Sequence, residues 1–173
     1  CPNDRRTKVR TPAISASDSV PSGGIIAFPS LPWMTILAMM PARPVTNGEF
    51  IAFVRDNPKW QRSQVKRLFA DERYLAHWAG DLDPGTARAE QPVTNVSWFA
   101  AKAFAASCGK RLPTTAEWEV AAAAGFTVRD GAKDAAFQAE VARWYSTPSP
   151  TVLPDAGSGR ANLFGVRDLH GLV

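Results

Sequence analysis

The sequence predicts a mixed α and β domain (α+β), in which short capped helices alternate with long irregular connections and strands are few. Three observations predict it. Thr46 to Glu49 and Thr114 to Glu117 each place a hydroxyl three residues before a carboxylate at the start of an apolar run, the spacing of a helix capping box. The best strand candidates, within residues 25–43, are apolar but broken by Pro29 and Pro32. Residues 81–90 and 146–160 are dense in loop-forming Pro, Gly, Ser or Asp.

The chain divides near residue 43. Residues 1–43 carry no sustained apolar periodicity and read as a disordered or extended arm, with room for one or two short strands after residue 25. Residues 44–173 read as the folded part. Phe50, Ile51, Phe53 and Val54 recur at helical spacing, and Asn57-Pro58 stops that helix. A second helix is expected over 62–79, with Val65, Leu68, Phe69, Leu75 and Trp78 on its apolar face and Gly80 at its end. A third starts near Ser97, with Trp98, Ala101, Ala105 and Cys108 on one stripe and Gly109 as its C-terminal cap. A Lys110-Arg111-Leu112-Pro113 connector leads to a fourth helix through Trp118 to Ala124, closed by Gly125. These two helices are expected to form a compact unit with both indoles buried, so that Trp98→Ala or Trp118→Ala would cost about 3–5 kcal/mol. A short helix over 134–144 and a turn-rich end complete the chain.

The 173 residues suit one domain, with a net charge of +4 and a pI near 9.4. The basic residues Arg5, Arg6, Lys8 and Arg10, then Lys59, Arg62, Lys66 and Arg67, then Lys110 and Arg111, match no zinc finger, aromatic RNA-binding signature or basic zipper, so no nucleic-acid partner is expected. Ile25–Met40 is too short and too proline-broken for the ~20 apolar residues of a spanning helix, and no membrane-spanning segment is expected. A start at Cys1 rather than Met, and a stop just after the His170-Gly171 turn, suggest a piece of a longer chain. Cys1 with Cys108 is one conceivable pair, but Cys108 on a helix face reads better as a buried free thiol.

Three blocks together carry a family resemblance. They are Pro44-Val45-Thr46-Asn47-Gly48-Glu49-Phe50, then Pro92 to Trp98 leading into Gly109-Lys110-Arg111-Leu112-Pro113-Thr114-Thr115-Ala116-Glu117-Trp118-Glu119, then Asn162 to Val173. In order and spacing they resemble the formylglycine-generating enzyme, or sulfatase-modifying factor, family over 44–173. Ala105 and Ser107 stand where the family often has Cys and Trp, and Thr115 where Glu is usual. The family's later Trp-Glu-Trp stretch and cysteine pair do not occur in this sequence. The resemblance implies an irregular fold related to C-type lectins, truncated here at its C-terminal side. It also implies an exported protein.

The function implied is oxidation of a protein cysteine to formylglycine, with copper and oxygen, on a cysteine-containing protein or peptide. Copper(I) needs two soft thiolates close together. The matched region holds only Cys108, so no catalytic residue is assigned and copper finds no ligands here. An iron site of three histidines is excluded with only His77 and His170, and no nucleophile elbow accompanies the serines. His77 reads as a helix decoration and His170 as a turn residue. Calcium is the one ligand the resemblance places on this chain, through the Asp168 side chain and the carbonyls of Gly171 and Val173, but without the family's closing glutamate. Trp98, Arg111, Glu117, Trp118 and Glu119 read as structural, Glu117 as a cap and Glu119 as a partner for Arg111. The leading reading is scaffold and part of a substrate-peptide groove. The rivals are a non-catalytic lectin-like binding module and an iron-dependent sulfoxide-synthase relative.

Overall fold

A computed structural model of the chain describes residues 41–170. The expected arm up to residue 40, the strands within 25–40, and Gly171 and Val173 lie outside the described residues. Among the described residues four α-helices appear in order: α1 (Asn47–Asp56), α2 (Trp98–Ser107), α3 (Thr115–Ala122) and α4 (Ala135–Ser146), with 3-10 turns at Pro58–Trp60 and Gly131–Lys133. Among the described residues, β pairing is limited to two isolated bridges, Thr46 with Pro92 and Gly80 with Asp83. The described part is therefore helical and loop-rich.

Both capping boxes form. The Thr46 hydroxyl accepts from the Glu49 amide, and the Glu49 carboxylate accepts from the Thr46 amide at 3.0 Å. Thr114 and Glu117 repeat the exchange at α3. Each satisfies N-terminal amides that a helix otherwise leaves bare. α1 ends at Asn57, whose amide and side chain both donate to the Phe53 carbonyl, and Pro58 opens the next turn. Gly109 follows α2 at φ +67, with the paired bonds Gly109 N–H to Ala106 O and Lys110 N–H to Ala105 O that a left-handed C-terminal residue allows.

The main core joins Phe50, Phe53 and Val54 of α1 to Trp60, Ala70, Tyr74, Leu75, Trp78 and Ala100. Phe104 of α2 packs on this core with ring centroids 5.8 Å from Phe50 and 5.5 Å from Phe53. Buried Asn47 donates from Nδ2 to the carbonyls of Arg88 and Gln91, which seats the 88–91 loop on the start of α1. Tyr74 donates its hydroxyl to the Trp60 carbonyl at 2.8 Å, and burial pushes its phenol upward.

Several expectations are corrected. No helix forms over 62–79: the segment is a succession of turns, and Leu75 takes φ +48, which no helix permits. The Asp81 carboxylate accepts from the Ser63 amide at 2.8 Å and its hydroxyl at 2.6 Å, closing the segment on itself. Leu75 and Trp78 are buried as expected, whereas Leu68 is 80% exposed. α2 turns Ala100, Ala103 and Phe104 to the core, not the Trp98, Ala101, Ala105 and Cys108 stripe. Trp98 is 59% exposed and Trp118 41%, so neither supports a burial cost of about 3–5 kcal/mol. α2 and α3 do not make one compact unit either, since α2 joins α1 while α3 serves a second cluster. Cys108 is half-buried and disulfide-bonded, not a free thiol.

That second cluster gathers around the C-terminal end of α3. The carbonyls of Ala121, Ala122 and Ala123 accept from Asn162 Nδ2 (2.8 Å), His170 Nε2 (2.9 Å) and the Gly131 amide (2.7 Å). Gly125 does not cap α3 in a left-handed conformation. It is small because Asp134 lies where a side chain would go, 2.8 Å from an added Cβ. Asp134, buried, accepts from the amides of Phe126 (2.8 Å), Thr127 (3.2 Å) and Phe137 (3.1 Å), and so caps α4.

Candidate functional site

An open cleft of about 450 Å³ lies between residues 67–73 and the start of α2, 95–99. Its two walls are tied by the Leu75 amide, which donates to the Asn95 carbonyl at 2.9 Å, with both residues in the left-handed region. Buried Ala70 and Leu75 fix the first wall to the main core, and the Ser97 hydroxyl, accepting from the Ala100 amide, fixes the second. Phe69 meets Phe99 across the cleft, centroids 5.3 Å apart and 72° between planes, and Phe99 meets Trp98 edge-on at 5.3 Å. Leu68, Phe69, Trp98 and Phe99 all reach solvent. Arg67, Arg73 and Asp71 supply the charge. Sequence reasoning missed this cleft, because it laid Leu68 and Phe69 along a buried helix face.

His77 stands near it, with Asn95 Nδ2 3.4 Å from Nδ1. Desolvation, then the Arg62 charge, lower its pKa from the ordinary histidine value, which favours the neutral ring. His170 is more than a turn residue. Its ring stacks on Trp144 (6.0 Å, 30°) and meets Trp118 and Phe137 edge-on.

The residues around the connector act structurally. Arg111 grips Glu117 with two bonds, Nη1 to Oε2 at 2.7 Å and Nη2 to Oε1 at 2.6 Å, so the expected pairing with Glu119 is corrected. Arg43 grips Glu49 in the same way, at 3.1 Å twice. In both places the arginine precedes the capping threonine by three residues, a repeat the sequence contained and the reading overlooked. The Arg111 bonds and the Thr114 amide hold the Glu117 carboxyl down to about 2, from an ordinary 4.5. A carboxyl lowered on folding gives a stabilisation that is complete above its unfolded value and is lost as pH falls through its folded value. Unfolding curves are therefore expected to weaken between pH ~4.5 and pH ~2. Glu117→Gln should lose part of that dependence; an unchanged slope would show the pairing contributes nothing.

Asp168 sits at φ +53, its carboxylate accepting from the Gly157 amide and, at 2.8 Å, from the Gly159 amide. It clamps the 157–159 turn. Calcium asks for six to eight oxygens. Of the expected donors the described residues hold the Asp168 carboxylate, already shared with two amides, while the Gly171 and Val173 carbonyls lie outside them. Cys108, the soft ligand type that copper(I) needs, is disulfide-bonded and so offers no thiolate, and Cys1 lies outside the described residues.

Residues 37–173 match the sulfatase-modifying factor enzyme 1-like domain family. The chain belongs to this family. The match stands with Trp98 and Trp118 half in water. Among relatives of this sulfatase-modifying factor domain, a serine/threonine-protein kinase pkn1 of Chlamydia caviae is 32% identical over 134 residues, covering 75% of the chain and 21% of the kinase. A formylglycine-generating enzyme of Thermomonospora curvata is 51% identical over 53 residues, 29% of the chain and 18% of that enzyme. A hercynine oxygenase of Mycobacterium tuberculosis is 37% identical over 93 residues, 46% of the chain and 22% of that protein. The chain thus spans about one fifth of the relatives it resembles. No solved structure is found to match it. Among the described residues no helix is long and apolar enough to cross a membrane.

Proposed function

We propose that this sulfatase-modifying factor domain supplies the scaffold and part of the peptide groove of a protein that oxidises a cysteine of a partner protein to formylglycine. The observation that carries this is the cleft at 67–73 and 95–99, an exposed aromatic groove whose walls are tied to the core through Ala70 and Leu75. Grooves of this kind receive peptide side chains into apolar walls while polar atoms fix direction. The C-type-lectin-like architecture and an exported location belong to the same reading, and short helices on long irregular loops support the first of these. Calcium held by Asp168 and the Gly171 and Val173 carbonyls is part of it too. A calorimetric titration in which the Asp168→Ala chain takes up calcium like the parent sequence would remove it.

The role given to this chain is binding, with no chemical step. A cysteine peptide incubated with the 173-residue chain, copper(I) and oxygen is expected to yield no hydrazide-trapped aldehyde, whereas the whole protein yields it. Robust turnover by the chain alone would overturn the scaffold role. The second reading, a non-catalytic binding module, is favoured by the disulfide at Cys108, which leaves no thiolate among the described residues. Peptide binding by the whole protein without aldehyde would replace the first reading with this one. An iron-dependent relative is the third. It rests on the hercynine oxygenase likeness, and His170 is already engaged with the Ala122 carbonyl.

A further inference from the structure

We infer that the cleft docks an acidic peptide segment bearing apolar side chains, a partner class that rests on the peptide-groove reading above and narrows it. The apolar half of the argument is the exposed run of Leu68, Phe69, Trp98 and Phe99, a contiguous patch of the kind that marks an interaction site.

The charged half is an imbalance. Arg67 and Arg73 line the cleft, and among the described residues neither takes part in an ion pair. Asp71 is the one carboxylate in the lining, and its Oδ1 already accepts from the Arg73 amide at 3.0 Å. Outside the lining, Lys102 holds its ammonium 5.0 Å from the Trp98 ring centre, and exposed Glu72 adjoins Arg73 in the chain. α2 also opens here, with the positive end of its dipole toward the site. Two guanidinium groups free to bond in pairs suit oxyanions that accept two bonds at once, which in a peptide are carboxylates. The first forty residues of the chain do not complement this surface, since Arg5, Arg6, Lys8 and Arg10 outnumber Asp4 and Asp18.

A single-stranded nucleic acid also combines negative charge with flat apolar groups. It needs open ring faces on which bases stack. Here the rings meet edge to face, at 72° and 84°, and Lys102 covers Trp98. Aliphatic side chains need only wall contact, which this arrangement offers.

The test titrates the 173-residue chain, by fluorescence anisotropy, against a labelled peptide alternating glutamate and leucine, its lysine–leucine counterpart, and an oligothymidylate. The glutamate–leucine peptide is expected to bind tightest, and Arg67→Glu with Arg73→Glu to weaken it about tenfold or more, as loss of close charge pairs does. Both arginines are exposed, so circular dichroism should be unchanged. If the double variant unfolds, Leu68→Ser, at an 80% exposed position, is expected to weaken binding through the apolar wall instead. Tighter binding of the lysine peptide or the oligothymidylate overturns the inference, as does no binding or an affinity indifferent to these variants. Aldehyde formation by the whole protein alongside such a failure would sink only the acidic preference. Acidic-peptide binding without aldehyde would sink only the oxidation.

Discussion

Trp78→Ala should lower the unfolding free energy by about 3–5 kcal/mol, the cost of emptying a large ring from a core that cannot collapse around the gap. The indole is 1% exposed and meets Phe50 edge-on at 6.3 Å. Phe50, Val54 and Leu75 are themselves fully buried, so the vacated volume has no solvent side from which to refill. Its carbonyl accepts from Arg62, a bond that survives truncation, so the loss is one of packing. The indole Nε1 has no acceptor among the described residues, so Trp78→Phe keeps most of the volume, removes an unpaired donor and should cost less than Trp78→Ala. Trp98→Ala is the control and should cost less than about 1 kcal/mol, as surface changes do. Urea unfolding of the three variants decides it. Equal midpoints for Trp78→Ala and Trp98→Ala would refute the placement of the core.

Gly131→Ala should cost about 1–3 kcal/mol through overpacking. An added Cβ would stand 2.7 Å from Phe137 Cε1 and 2.8 Å from the Ala123 carbonyl oxygen. The ring cannot swing aside freely, since Phe126 meets it at 5.5 Å and His170 at 5.7 Å. The carbonyl cannot retreat without giving up the Gly131 amide at 2.7 Å. Gly109 offers a contrast. Nothing lies within 4 Å of a Cβ built there, so Gly109→Ala meets only the left-handed backbone penalty of about 1–2 kcal/mol. Thermal melts that rank Gly131→Ala as the milder change would show that the second cluster is looser than its distances imply.

What was legible in the sequence was what is local. A hydroxyl and a carboxylate three residues apart, a proline after an asparagine, and a glycine after a helix each act within one turn of chain, and Thr46, Glu49, Asn57, Gly109, Thr114 and Glu117 behave as read. The misreadings concern which way an apolar segment faces. Residues 98–107 are apolar nearly all round, so periodicity alone could not select the Ala100, Ala103 and Phe104 face over the Trp98 stripe. Leu68, Leu75 and Trp78 recur at helical spacing, yet Asp71 and Asp81 capture nearby amides and Leu75 bonds to Asn95, contacts that outweigh weak helical preference. The cleft was invisible for that reason, being what the turns leave open. The Asp168 clamp was partly legible: a carboxylate in a turn was foreseen, but the amides of Gly157 and Gly159 that occupy it were not.

The bond from Leu75 to Asn95 has a kinetic corollary. α1 can nucleate from its own cap, but much of its buried face waits for Tyr74, Leu75 and Trp78, and these are held only once residues twenty positions apart have found each other. Closing that loop costs chain entropy before any burial repays it, and chains that depend on distant pairings reach their native state slowly. Refolding should therefore be limited by the 61–97 connection, since helices this short gain most of their stability from the packing it completes.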